Sequence, residues 1–98
     1  MQIMNAALDQ ESKQVLWACL ESVRQQPEAL GNHELCYRWI VGRYKAKFGE
    51  AFHQVKLGQL ADQGFLKRSD TTRGGNRRYY EIANPSMLTA SLRQWNLN

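Results

Sequence analysis

The length, composition and charge of this chain limit what it can be. Its 98 residues suffice for one small domain with a single core, and 43% hydrophobic with 22% charged residues is typical of a folded soluble protein. No apolar run approaches the ~20 residues of a membrane-spanning helix, and the N-terminus lacks the basic start and long apolar middle of a signal peptide. We therefore expect a cytoplasmic protein, whose formal charge of +4 is compatible with a polyanionic partner but does not require one.

The first predicted helix extends from Asp9, a good cap residue, to Gln26, and Pro27 ends it. Its apolar residues recur at the spacing of one helix face, namely Leu16, Cys19, Leu20 and Val23. We expect residues 1–8 to form a flexible N-terminal segment and residues 9–98 to form a single domain.

The second predicted helix covers residues 33–48, with Asn32 as its cap and Gly49 in a left-handed conformation at its end. One apolar face consists of Tyr37, Ile40, Val41, Tyr44 and Phe48. A second line of residues consists of Leu35, Trp39, Gly42 and Ala46. This helix is therefore expected to touch two neighbouring elements.

A short third helix and a β-hairpin are predicted next. Residues 53–63 place Leu57, Leu60 and Ala61 on the inner face, and Gly64 ends the helix. FLKR and RRYYEI are then two extended segments, joined by the turn-forming residues SDTTRGGN. This loop is longer than a two-residue turn, so the tip of the hairpin is expected to be open and mobile.

A last helix is predicted over residues 85–96. Asn84 caps it, Pro85 occupies its first position, and Leu88, Leu92 and Trp95 share one face. Two alternatives stay open for this face. It packs on the line formed by Leu35 and Trp39, or the two surfaces form the interface of a homodimer.

The segment LGQLADQGFLKRSDTTRGGNRRYYEI, residues 57–82, resembles the recognition helix and wing of winged helix-turn-helix proteins. Leu57, Leu60 and Gly64 are followed by two hydrophobic residues, Phe65 and Leu66, and then by a basic glycine-containing hairpin. The resemblance implies an α+β, mainly α fold with a three-helix core, a β-hairpin wing and an additional C-terminal helix. It also implies double-stranded DNA as partner, in transcription regulation or as an accessory factor of replication or of a mobile element.

In such a protein, the outer face of the third helix would enter the major groove. Its candidate DNA-binding residues are His53, Gln54, Lys56 and Gln59. Glutamine can pair with the edge of adenine, Val55 can meet a thymine methyl group, and Gly58 would let the backbone approach closely. The alternative is that these side chains form an ordinary solvated helix face.

The hairpin concentrates positive charge, since five of the thirteen basic residues lie between positions 67 and 78. Arg73, Gly74 and Gly75 are the candidate tip, and the further candidate DNA contacts are Lys67, Arg68, Arg77 and Arg78. Strand alternation puts Arg78 on the inner side, so its role is divided between DNA and the fold. The competing explanation is that cations on a hairpin edge prevent aggregation.

Arg43 and Lys47 share a face of the second helix and are candidate phosphate contacts, although a solvated face explains them equally well.

Cys19 and Cys36 lie on apolar stripes and are expected to be buried thiols. Because paired metal-ligand spacings and catalytic motifs do not occur, we predict no enzyme, cofactor or metal site. A protein-interaction adaptor and an RNA-binding module remain the alternative functions.

Overall fold

Four helices and one antiparallel sheet form the part of the chain that the computed structural model describes, residues 8–25, 34–69 and 78–97. The elements in chain order are α1 (Gln10–Arg24), β1 (Leu35–Cys36), α2 (Tyr37–Phe48), α3 (Val55–Asp62), β2 (Leu66–Arg68), β3 (Tyr79–Ile82) and α4 (Pro85–Gln94). The strand order is β1-β3-β2, with both pairs antiparallel. The predicted α+β, mainly helical class is confirmed.

Helix α1 forms the centre of the core. Asp9 Oδ1 accepts the Ser12 N–H at 2.9 Å, which confirms the predicted cap. Leu16 and Cys19 of the predicted stripe are fully buried, and Leu8, predicted to belong to the flexible N-terminal segment, packs against the same core. The predicted helix end at residues 26–27 and the predicted cap at residue 32 lie outside the described residues.

The second helix begins four residues later than predicted, at Tyr37. Leu35 and Cys36 instead form β1, where Leu35 pairs with Tyr80 and Cys36 with Tyr79. The spacing of apolar residues predicted a helix here because a buried two-residue strand shows no alternation of its own. Gly49 ends α2 with φ of 86°, which confirms the predicted left-handed cap.

Helix α3 turns directly into the hairpin. Gly64 has φ of 92°, its N–H donates to the Ala61 carbonyl at 3.1 Å, and the Phe65 N–H donates to the Leu60 carbonyl at 3.0 Å. Strands β2 and β3 pair from Leu66 with Ile82 to Arg68 with Tyr80. The base of the predicted hairpin is thus confirmed, whereas residues 70–77, which include all of the predicted loop except Ser69, lie outside the described residues.

Helix α4 packs against α1. The Asn84 side chain accepts the Met87 N–H at 3.1 Å, as the predicted cap requires, and Leu88 and Leu92 are buried in the core. Lys13 of α1 lies over the Trp95 ring, with Nζ 5.4 Å from the ring centroid. Leu88 and Leu92 belong to the same buried cluster as Leu35, whereas Trp39 is exposed, so only the Leu35 end of the predicted line shares the core with this helix.

Both cysteines are buried free thiols, as predicted. Burial raises the pKa of the Cys19 thiol to about 12.

Aromatic rings fill the space between α2 and the start of α3. The Tyr44 ring lies 4.9 Å from that of Phe48 and 5.1 Å from that of Phe52, and the Tyr37 hydroxyl donates to the Phe52 carbonyl.

Candidate nucleic-acid interface

The outer face of α3 is exposed and carries mainly uncharged polar side chains. His53, Gln54 and Gln59 are exposed as predicted, and Val55 stands out among them with 56% of its surface accessible. The His53 Nδ1 atom accepts the Val55 N–H at 3.1 Å, which fixes the start of the helix. Leu57 and Leu60 on the opposite face are fully buried, so the amphipathic spacing determines which side chains point outward.

Lys56, predicted to flank this outer face, is instead directed to the start of α1. Its Nζ lies 3.5 Å from Asp9 Oδ2 and 3.4 Å from Glu11 Oε1, and the side chain is only 15% exposed. Hydrogen bonds from Ser12 lower the pKa of Asp9, and the ammonium group of Lys56 lowers it further. Lys56 therefore ties α3 to α1 through two ion pairs with exposed carboxylates.

Arg68 also contacts α3, although its side chain remains exposed. Its Nη1 lies 3.1 Å from Asp62 Oδ1, and its Nη2 donates to the Gly58 carbonyl at 3.2 Å. Lys67, the preceding residue, is exposed and pairs across the sheet with Glu81. Of the two predicted phosphate contacts of β2, Arg68 therefore contacts α3, whereas Lys67 lies opposite Glu81 of β3.

The base of the hairpin is held by side chains as well as by the strand ladder. The Ser69 hydroxyl donates to the buried Glu34 carboxylate, which directly precedes β1, and the Ser69 N–H donates to the Tyr79 carbonyl at 2.9 Å. Arg78, predicted to lie on the inner side of the hairpin, is exposed immediately before β3. The residues predicted for the tip and beyond, Arg73, Gly74, Gly75 and Arg77, lie outside the described residues.

Helix α2 supplies a second group of exposed cations. Its sequence YRWIVGRYKAKF contains no carboxylate, and its four basic residues are all exposed: Arg38, Arg43, Lys45 and Lys47. Lys47 Nζ lies 5.5 Å from the centroid of the Trp17 ring, which itself packs edge-on against Phe48. The predicted phosphate contacts Arg43 and Lys47 are therefore both exposed, and Lys47 also covers an aromatic side chain of α1.

The five residues predicted as a dimer or helix-packing face do not form one exposed surface. Leu35, Leu88 and Leu92 are buried within the core, and Trp95 is partly buried against it. Trp39 is 42% exposed and packs against Tyr79, with ring centroids 6.4 Å apart. Leu88 and Leu92 hold α4 on the core, while Trp39 stays at the surface.

Three contacts of this region were not predicted from the sequence. They join Lys56 to Asp9 and Glu11, Arg68 to Asp62, and Ser69 to Glu34. The members of each pair come from different elements, so none has the spacing of three or four residues that marks neighbours on one helix. Only the three-dimensional arrangement reveals them.

Within residues 8–25, 34–69 and 78–97, no group of three or more His, Cys, Asp or Glu side chains is placed to hold a metal ion. None of the helices in these ranges is both long and apolar enough to cross a membrane. Comparisons with protein-family models, curated proteins and solved structures find no match for this chain. What the exposed surface binds must therefore follow from its own shape and charge.

Proposed function

We propose that this chain is a winged helix-turn-helix domain that binds double-stranded DNA, with α3 in the major groove and the β2–β3 hairpin as the wing. The order α1-β1-α2-α3-β2-β3 is consistent with this fold family. A small transcriptional regulator or an accessory factor of replication or a mobile element is the corresponding biological role.

The observation that carries this proposal is the position of β2 beside the exposed face of α3. The major groove is about 12 Å wide and admits one α-helix, whose outward side chains meet the base edges. Gln54, Val55 and Gln59 are exposed on α3, and the adjoining strand presents Lys67. The outward side chains of α3 are uncharged apart from Asp62, which pairs with Arg68, and such a face next to cations suits the bases of a groove between two phosphate backbones.

Exposed cations on other elements extend this surface. Arg78 precedes β3, and Arg43 and Lys47 lie on α2, a helix without carboxylates. Phosphate contacts fix the register of a protein on DNA without reading sequence. In the proposed complex these cations bind the backbone, and the glutamines of α3 supply the sequence preference.

Fluorescence anisotropy at two salt concentrations tests the proposal. The probes are a random-sequence duplex, a single strand and a structured RNA, each titrated with the full 98-residue chain. We expect the tightest binding to the duplex, with log affinity falling by roughly 0.9 per log unit of salt for each phosphate contact. Equal or weaker binding to the duplex than to RNA would overturn the proposal.

Alanine variants locate the interface. Replacing Arg73 and Arg77 should weaken binding to every duplex and flatten its salt dependence. Arg24→Ala is the control, because Arg24 is exposed in the last turn of α1, about 20 Å along that helix from Asp9. Equal losses of duplex affinity in the double variant and in the control would indicate that binding depends on the overall charge of the protein. They would not support contacts made by the wing.

The exposed Trp39 favours a second candidate function, a protein-interaction adaptor. Tryptophan is enriched at the centres of protein interfaces, and Trp39 is 42% exposed beside Tyr79. Selection of duplexes from a random pool separates the two functions. An enriched sequence supports DNA recognition, whereas no enrichment together with weak duplex binding favours the adaptor.

A further inference from the structure

Three residues join the hairpin to α3 through a single guanidinium group. Arg68 Nη1 lies 3.1 Å from Asp62 Oδ1, and Arg68 Nη2 donates to the Gly58 carbonyl at 3.2 Å. The two acceptors are four residues apart and so lie about one turn apart along α3. Arg68 therefore holds this helix at two points, and we name Gly58, Asp62 and Arg68 the guanidinium clamp.

The residue types of the clamp fit this geometry closely. A Cβ atom at Gly58 would lie 3.3 Å from Arg68 Nη2, tighter than an ordinary contact, so glycine leaves the room that the guanidinium occupies. The planar guanidinium presents several N–H donors in a fixed arrangement and can serve both acceptors. A lysine ammonium is a single point of charge and cannot reproduce the two-point contact.

We propose that Arg68 is a positioning residue, which fixes the orientation of α3 relative to the hairpin rather than serving chiefly as a phosphate contact. The proposal rests on the proposed DNA-binding function, because orientation matters when side chains must meet base edges to within about 0.5 Å. The Arg68 side chain is 53% exposed and that of Asp62 is 70% exposed. Exposed ion pairs add little to stability, so variants of the clamp should stay folded.

Asp62→Asn and Arg68→Lys separate the two roles. If Arg68 served as a phosphate contact, Asp62→Asn would remove the anion that competes with phosphate for the guanidinium, and binding to every duplex would tighten. Arg68→Lys would then preserve both affinity and sequence preference, since the charge is kept. A positioning role predicts that both variants lose preference while the salt dependence of Arg68→Lys stays unchanged.

The binding test uses a duplex that the wild-type chain enriches from a random pool, and a scrambled version of it. Each clamp variant should reduce the ratio of the two affinities roughly tenfold, on the order of one lost base contact. Lys67→Ala is the matched control, because Lys67 is the exposed neighbour of Arg68. It should weaken both duplexes equally and leave the ratio unchanged. An unchanged ratio in the clamp variants overturns the positioning role.

Residual dipolar couplings of backbone N–H groups in the free protein provide a measurement that needs no DNA. Asp62→Asn and Arg68→Lys should change the orientation of α3 relative to α1, and Lys67→Ala should not. Unchanged couplings in both clamp variants overturn the proposal whatever the duplex results. If the wild type enriches no duplex, the proposed function fails, while the couplings still decide whether the clamp orients α3.

Discussion

The interior beneath α3 and the surface above it differ in what a substitution there should change. On the inner side, Leu57 and Leu60 are fully buried in the core shared with α1 and β2. On the outer side, Gln54, Val55 and Gln59 are exposed. Burial of apolar surface stabilises the fold, whereas exposed side chains add little to stability and remain available to a ligand.

Two cations lie at the boundary between these regions. Lys56 connects the start of α3 to Asp9 and Glu11, and Arg68 of β2 contacts Asp62 in the last turn of α3. Both contacts join a cation to a residue of a neighbouring part of the fold, so they link α3 to α1 and to β2. Substitutions at different positions of this eight-residue helix can therefore change the stability of the fold, the placement of the helix or its contact with a ligand separately.

Leu57→Ala should have the largest effect on stability. Leu57 is fully buried, and truncating a buried leucine costs about 2–5 kcal/mol, through lost apolar burial and the cavity that remains. This is a large part of the roughly 5–15 kcal/mol that stabilises a typical domain. Urea unfolding followed by circular dichroism measures the change.

Val55→Ala, on the exposed side of the same helix, should alter stability by less than about 0.5 kcal/mol. Similar losses in the two variants would contradict the division of α3 into two sides.

Much of this division could be predicted from the sequence, because it depends on local spacing. The inward positions Leu57 and Leu60, the left-handed Gly49 and Gly64, and the cap Asn84 follow from helix periodicity and from the conformational freedom of glycine. Each of these features involves residues within a few positions of one another. The predicted base of the hairpin is confirmed for the same reason.

The features that were missed depend on residues far apart in the chain. Strand β1 is only two residues long and is defined by its pairing with Tyr79 and Tyr80. Lys56 and Asp9 are separated by 47 positions, and their contact requires α3 to pack near the start of α1. Periodicity contains no information on which exposed cation meets which carboxylate. The sequence therefore did not predict the ion pairs of Lys56 with Asp9 and Glu11.

A double substitution, Gln54→Ala with Gln59→Ala, tests the outer side. It should reduce discrimination between the preferred duplex and a scrambled one by about 30-fold or more, because each good base contact is worth about 1–3 kcal/mol. Stability should stay close to that of the wild type, since both side chains are exposed. Titration of the two duplexes at one salt concentration measures the ratio.

The control for this variant is Gln25→Ala, which removes an amide side chain at the C-terminal cap of α1, where it donates to Glu21. It should leave discrimination unchanged. A uniform loss of affinity for both duplexes in the double variant would contradict base recognition by α3. That result would assign these glutamines a general role in binding instead.

Asp9→Ala tests the boundary between the two regions. It removes the cap of α1 together with one partner of Lys56, and loss of such a cap costs about 1 kcal/mol at neutral pH. Because the pKa of Asp9 is lowered from 3.8 in the folded protein, its contribution is present above pH 3.8 and is lost as the pH falls through the lowered value. Urea unfolding across this pH range should show the difference from the wild type shrinking in acid.

Asp9→Asn separates the cap from the ion pair, because asparagine caps helices about as well as aspartate but carries no charge. It should cost less than Asp9→Ala, and what it does cost reports the contact with Lys56. A cost for Asp9→Asn equal to that of Asp9→Ala would mean that the ion pair, and not the cap, provides the stability.

Lys47→Ala should have a small effect on stability, and it tests whether a cation that covers an aromatic ring also contacts phosphate. Its ammonium group lies 5.5 Å from the centroid of the Trp17 ring, an interaction worth about 0.5–1 kcal/mol at an exposed site. Arg43→Ala is the comparison, because Arg43 lies one turn earlier on the same face of α2. If both cations bind DNA, each variant lowers the salt slope by about 0.9. If the contact with Trp17 keeps Lys47 from the backbone, only Arg43→Ala lowers the slope and only Lys47→Ala lowers stability. Unchanged slopes in both variants would remove α2 from the proposed interface and leave phosphate binding to the hairpin.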